Sequence, residues 1–352
     1  MTLKGQDRQY HLDCLRVLAT FAVMILHIAA QNWYGADVMS FEWNVFNFYD
    51  SMVRWAVPVF VMISGALFLD RDHPVGRIYR KNILRHVTAF IFWSLTYALY
   101  FAASSNKPME LEAIMVETLK GHYHMWFLFM IVGLYMTVPF LKAVVQSAAL
   151  TKYFLVLSLI FVFVIPQAIK LLSLNYQTLG ALLNGCVAKL QLSFVPGYSG
   201  YFILGYLLNK ANIGRRTEKA VYAAGLCAFL LTMLLTFAVS AYVGRPNEIF
   251  YDYLALNVLL ESVAVFIFAK KHCERCAASG AFGNLVRILS KYSFGAYLFH
   301  ALAITILERM GLNTLSFNPL LSVPVIGIIV FVMSFVVSAV FNHIPILRDH
   351  VV

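Results

Sequence analysis

Two residues able to do chemistry stand eleven positions apart inside the first hydrophobic stretch, residues 11–30: Arg16 and His27. At about 100° per residue, eleven residues make about three turns plus ~20°, so on a helix the two side chains share one face, roughly 16 Å apart along the axis. In lipid such groups cost at least about 2.5 kcal/mol each unless they face a protein interior or a wet cavity, so the pair marks a functional site. Taken singly, each has a plain structural reading: an arginine snorkelling at a helix start, and a hydrogen-bonded core histidine. A second constellation lies in Asp70–Lys81, where Arg77 and Arg80 are three apart, with Lys81 beside them and Arg85 a turn further. If a helix begins near Pro74, Arg77 and Arg80 face the same way, and a guanidinium fork suits a phosphorylated ligand. Positive residues beside helix ends are also what membrane topology alone demands.

These residues need a scaffold, and composition says which kind. Of 352 residues, 61% are hydrophobic and 12% charged, and the mean hydropathy is +0.74. That is far from the balance of a soluble domain. The chain reads as an all-α, polytopic membrane bundle forming one domain over residues 1–352, with no polar block long enough for an appended soluble domain. The net charge of +10 suggests nucleic acid until the positions of the cations are considered.

Apolar runs of about 20 residues give ten expected spans: 12–33, 47–69, 84–103, 123–141, 152–169, 194–209, 218–242, 250–269, 288–308 and 320–344. The sixth is short, and the ninth starts in the polar stretch Ser290–Phe294. Pro58 and Pro139 fall inside spans, where neighbouring helices satisfy the freed carbonyls. Of the 27 Lys and Arg, 19 fall on the side that holds both termini and six on the other; Arg16 and Arg54 lie within spans. This bias places both termini in the cytoplasm. The first run follows Lys4 and Arg8 as a signal peptide would, but it is long, contains Arg16 and lacks a small-residue cleavage site, so it remains as a span. Cys273 and Cys276 are the only close cysteine pair; with no second pair or histidine at metal spacing, they do not point to zinc, and no metal site is expected.

Orientation sets depth. Arg16 lies near the cytoplasmic face and His27 in the outer half; His124 and Trp126 begin the fourth span from outside; Glu261 and His300 fall near mid-membrane. Each has a structural alternative, interfacial aromatics being common for Trp126, but together they predict a polar interior. Asp13, three residues before Arg16, either orients it or simply favours a helix start.

The sequence resembles the bacterial acyltransferase-3 family of integral membrane proteins over essentially its whole length. The resemblance rests on Arg16 with His27, Val57–Gly65 (VPVFVMISG), Arg77-Ile-Tyr-Arg80, Tyr123–Leu128 (YHMWFL) and Ser290–His300 (SKYSFGAYLFH). It is nearest in look to the branch that O-acetylates enterobacterial common antigen. The resemblance implies a multi-pass protein of the bacterial cytoplasmic (inner) membrane. It further implies transfer of an acyl group, usually acetyl, from cytoplasmic acyl-coenzyme A to a hydroxyl of a cell-surface or lipid-linked glycan. Acyl-CoA is then a donor substrate, with no tightly bound cofactor. In that reading Arg77, Arg80 and Lys81 hold the donor phosphates, and the pantetheine arm rises along the Arg16–His27 face. Arg16 stabilises donor or oxyanion charge. His27 acts either as general base or as a covalent acyl relay. His124 and Trp126 line the acceptor mouth, with Asp13, Glu261 and His300 in support, while Ser64 and Gly65 serve close helix packing. A transporter or flippase for a glycan, lipid or solute would share this composition, though no inverted repeat is present; a non-catalytic scaffold would be indifferent to His27. The acceptor, the acyl group and the oligomeric state are not written in the sequence.

Overall fold

The computed structural model describes residues 8–104, 110–190, 197–277 and 280–352. Lys4, Lys107 and residues 194–196 of the sixth expected span lie outside the described residues, as does the side chain of Cys276. The helices are α1 (Tyr10–Ala30), α2 (Phe41–Val53), α3 (Ala56–Phe68), α4 (Val75–Ala103), α5 (Leu111–Lys120), α6 (Tyr123–Val145), α7 (Ala148–Leu172), α8 (Gln177–Ala188), α9 (Ser199–Lys210), α10 (Arg215–Val243), α11 (Leu256–Ala277), α12 (Gly280–Arg309), α13 (Pro319–His343) and α14 (Pro345–His350). No strand occurs among the described residues.

Among the described residues, seven helical segments are long and apolar enough to cross a membrane: α1, the α2–α3 pair, α4, α6, α7, α10 and α13. Three more run between the two ends of the bundle without meeting that measure. In α9, Tyr201 donates to the Tyr253 carbonyl at one end and Lys210 pairs with Asp70 at the other. In α11, Asn257 receives from Gln167 while Glu274 contacts His11. In α12, Ser290 meets Asp13 and Arg309 lies over Tyr100. The first described residues and the C-terminus sit at one end, where His11 Nε2 meets Asn209 (2.8 Å) and Arg85 donates to the Val352 carbonyl (2.6 Å). There too Lys142 donates to Asp72, holding that carboxyl below its usual range.

Burial separates centre from rim. In the apolar windows of α1 and α2–α3, 72% of residues are buried, against 22% in α7 and α10, which therefore present most of their surface to lipid. Thus α1, the helix carrying Arg16 and His27, is the hub. It packs on α2, α3, α11, α12 and α13.

Some boundaries differ from the sequence expectation. The expected span 47–69 is α2 and α3 separated by a turn at Arg54–Trp55, because Pro58 has no N–H to offer the Arg54 carbonyl four residues earlier. Residues 250–255 form turns, with Asp252 Oδ1 accepting from the Leu254 amide (2.9 Å), so the expected span 250–269 becomes a helix from Leu256. Helix α12 starts at Gly280, eight residues before the expected 288, carrying the polar stretch as a helical extension. Val75–Ala103 contains a π-helical stretch at Ile78–Ile83, and Ala148–Leu172 one at Leu159–Val164.

Helices α3 and α9 approach to backbone contact. A Cβ on Gly65 would lie 1.8 Å from the Phe202 carbonyl oxygen, and one on Gly205 2.1 Å from that of Met62. The expected packing role of Gly65 is visible here. Gly65→Leu is expected to force these helices apart and destabilise the protein by at least about 1–3 kcal/mol, read as a lower unfolding temperature in detergent, whereas Gly133→Ala, with open space around its Cα inside a helix, leaves the temperature the same or slightly raised.

Candidate active site

Asp13 and Arg16 sit one turn apart on α1, opposite Ser290 of α12. Arg16 Nη1 donates to Ser290 Oγ (3.1 Å), Ser290 donates to Asp13 Oδ1 (2.6 Å), and Arg8 Nε donates to Asp13 Oδ2 (2.6 Å). The Arg16–Asp13 distance is 3.7 Å. The chain Arg16, Ser290, Asp13 fixes the guanidinium through hydrogen bonds to a paired carboxylate, which is what a charge at this depth requires.

Arg16 lines a cavity of about 740 Å³, within the usual range for small-molecule sites. Toward the end that holds the termini, the cavity is lined by Lys81, Asn82, Arg85, Lys291 and Arg348; further in, by Ser64, Phe60, Ile131, Tyr135, Phe127 and Tyr297. Its lining includes no carboxylate among the described residues. Such a container has a cationic mouth and an apolar throat, suited to an anion carrying a long, less polar arm. Lys81 and Asn82 belong to the π-helical stretch at the start of α4, a local irregularity of the kind common at functional sites.

Arg77 and Arg80 are not in the lining; both are exposed, Arg77 just before the π-helical stretch and Arg80 within it. Of the expected fork, the structure brings only Lys81 to the cavity, joined by Arg85, Lys291 and Arg348.

Beyond the throat lies a group of histidines. The His27 ring stacks on His300 at 5.2 Å and 26°, and His300 lies 4.9 Å from His124. Tyr123 meets the free edge of His27 at 5.1 Å, and His122 Nδ1 is 3.0 Å from His124 Nδ1. Tyr297 joins cavity to histidines: its ring lines the cavity and lies 5.6 Å from both His124 and His300, while its hydroxyl donates to the His124 carbonyl (2.5 Å). His300 Nδ1 faces the Tyr297 carbonyl, so that nitrogen carries the proton, and Nε2 is the acceptor of the neutral ring. The Nε2 atoms of His300 and His124 are buried without hydrogen-bond partners. No cluster of three or more His, Cys, Asp or Glu is placed to hold a metal among the described residues.

Trp126 is partly exposed, stacked on Tyr253 at 5.8 Å and 24°. Glu261 lies apart, between α10 and α11, accepting from Thr232 (2.6 Å), which also receives from Asn257 (2.8 Å); it reaches neither the histidines nor the cavity. Sequence reasoning missed His122, Tyr297, Lys291, Arg348 and the Ser290 bridge. Tyr297 lies one turn before His300, so helical spacing offered a signal for it; His122, two residues before His124, precedes the helix and only its nearness in sequence pointed to it.

A many-helix membrane protein with a cationic cavity leading to buried imidazoles has the layout of a membrane-embedded group-transfer enzyme. Residues 9–343 match the acyltransferase-3 family, described as an acyltransferase domain, and the chain belongs to that family. It is a multi-pass membrane acyltransferase. No curated protein and no solved structure matches it.

Replacing Arg16 by lysine keeps the charge but loses the fork that reaches Ser290 and the cavity together. Acyl transfer is expected to fall at least about tenfold, the equivalent of ~1.4 kcal/mol, with the unfolding temperature little changed; Ser290→Ala should give a smaller loss in the same direction. Full activity in Arg16→Lys would show that only its charge matters.

Proposed function

We propose that this acyltransferase moves an acyl group, most simply acetyl, from acyl-coenzyme A to a hydroxyl of a glycan or lipid-linked saccharide on the opposite side of the membrane. The single observation that carries this reading is the cavity: cations at its mouth, no carboxylate in its lining, and an end wall, Tyr297, that touches the histidines. A polyphosphate handle with a thin thioester arm matches that shape and charge. The excess of Lys and Arg at the end holding the termini supports placing that end, and so the mouth, in the cytoplasm of a bacterial inner membrane.

In this reaction the donor phosphates lie against Lys81, Lys291, Arg85 and Arg348, and the thioester lies toward Tyr297. His27, half-buried beside exposed Tyr123, accepts the proton of the acceptor hydroxyl. The hydroxyl oxygen attacks the thioester carbon, the C–S bond breaks, and the departing coenzyme A thiolate takes up the proton that His27 holds. The products are an O-acyl ester and free coenzyme A. Arg16, held by Ser290 and Asp13, supplies fixed positive charge along the donor's path. The stacked His300 presents its own unpaired Nε2 beside His27. Relay through an acyl-histidine would use the same atoms in two steps.

The test is acetyl-CoA consumption by purified, reconstituted protein supplied with native glycolipids. His27→Ala is expected to lower transfer by about 10²- to 10⁴-fold while leaving acetyl-CoA binding intact. Lys81→Gln with Lys291→Gln is expected to weaken donor binding about tenfold and to flatten its dependence on salt. If wild-type protein neither binds nor consumes acetyl-CoA, the donor assignment fails.

A further inference from the structure

The turn that Pro58 imposes between α2 and α3 puts Arg54 deep in the half of the bundle opposite the termini. Its side chain is 11% exposed and that of Asp50, one turn earlier, 1%. Arg54 Nη2 donates to Asp50 Oδ2 and Nη1 to the Tyr251 carbonyl (3.2 Å), and the guanidinium lies 3.9 Å over the Tyr251 ring. Two atoms of the pair are left over. Arg54 Nε, a donor, and Asp50 Oδ1, an acceptor, are both buried with no hydrogen-bond partner, as are Gln31 Oε1, Trp33 Nε1 and Trp43 Nε1. Unmade hydrogen bonds on a desolvated ion pair are costly, and a ligand that completes them recovers that cost.

These groups adjoin the histidines. Gln31, which caps the end of α1, follows His27 by four residues. The Tyr253 ring, 5.9 Å from the Arg54 guanidinium, stacks on Trp126 of the helix that carries His124. Trp33 lies 5.3 Å from Tyr251 and 5.6 Å from Trp43, an aromatic cluster packed beside the ion pair.

Charge narrows the ligand. Asp50 neutralises Arg54, and the exposed Glu248, which accepts from Tyr34, adds a negative charge nearby. An anionic group gains nothing here. Sugar hydroxyls both donate and accept, so one accepts from Arg54 Nε while its neighbour donates to Asp50 Oδ1. We propose that Asp50 and Arg54, flanked by Trp33 and Tyr251, form the acceptor subsite and read two adjacent hydroxyls of a neutral hexose. This inference rests on the acyl-transfer reading above.

The experiment measures coenzyme A release from acetyl-CoA by the full chain in detergent, with methyl glucoside, methyl mannoside and methyl galactoside as neutral probes and methyl glucuronide as the charged one. At least one neutral glycoside is expected to accelerate release, and the glucuronide to do so at least about tenfold more weakly. Asp50→Asn and Arg54→Lys are each expected to raise the half-saturating glycoside concentration at least about tenfold, with acetyl-CoA affinity as in wild type. Asp50→Asn/Arg54→Gln, which removes both charges together, replaces any single variant that unfolds. Equal stimulation by the glucuronide, unchanged half-saturation in folded variants, or a wild type that binds acetyl-CoA yet responds to no neutral glycoside overturns the subsite. A wild type that does not bind acetyl-CoA overturns instead the donor assignment on which it rests.

Discussion

Charge inside a membrane has to be neutralised or solvated where it stands, and the arrangement of this protein follows from that constraint. Arg16 is tolerable because Ser290 carries its hydrogen bond to Asp13, and because its remaining face opens on a cavity. Arg54 is tolerable because Asp50 lies one turn away on the same helix. The histidines meet the constraint differently: a neutral imidazole costs far less to bury, so several gather in mid-bundle with only partial hydrogen bonding. Fixed charges thus stand at the two flanks and titratable rings between them.

Helix packing makes the arrangement possible. The backbone contact of α3 with α9 through Gly65 and Gly205 holds the central wall close. The hub position of α1 brings one helix to both the cavity and the imidazole cluster, so the two share one rigid element. Irregularities fall where the site needs them: the π-helical stretch at Ile78–Ile83 on the cavity mouth, and the Pro58 turn at Arg54.

Much of this was legible in the sequence. The eleven-residue spacing of Arg16 and His27 fixes a shared helix face whatever surrounds it, and apolar runs revealed the all-helical membrane bundle and most of its helices. Asp13 was legible as a partner of Arg16 from its spacing alone, though not the serine from α12 that bridges them. What periodicity could not supply was the neighbour each face meets. His300 and Glu261 looked alike, single polar residues near mid-span, yet one stacks on His27 and the other is tied to Thr232 on the far side of α11. Arg77 and Arg80 shared a face in an ideal helix; the π-helical stretch that starts after Arg77 and includes Arg80 leaves both outside the cavity and puts Lys81 and Asn82 in its wall. The turns at 250–255 were masked by their apolar composition, in which Asp252 was the lone sign.

The ring of Tyr297, with a phenyl wall from Phe60 and Phe127 beside it, closes the end of the cavity against the histidines. A row of imidazoles reached from water on both sides would be a proton wire across the membrane. With an aromatic partition between the cationic cavity and the imidazoles, the two aqueous compartments need never be joined by a continuous file of water. In the proposed reaction the protein can then carry carbon from one side to the other while the membrane stays electrically sealed.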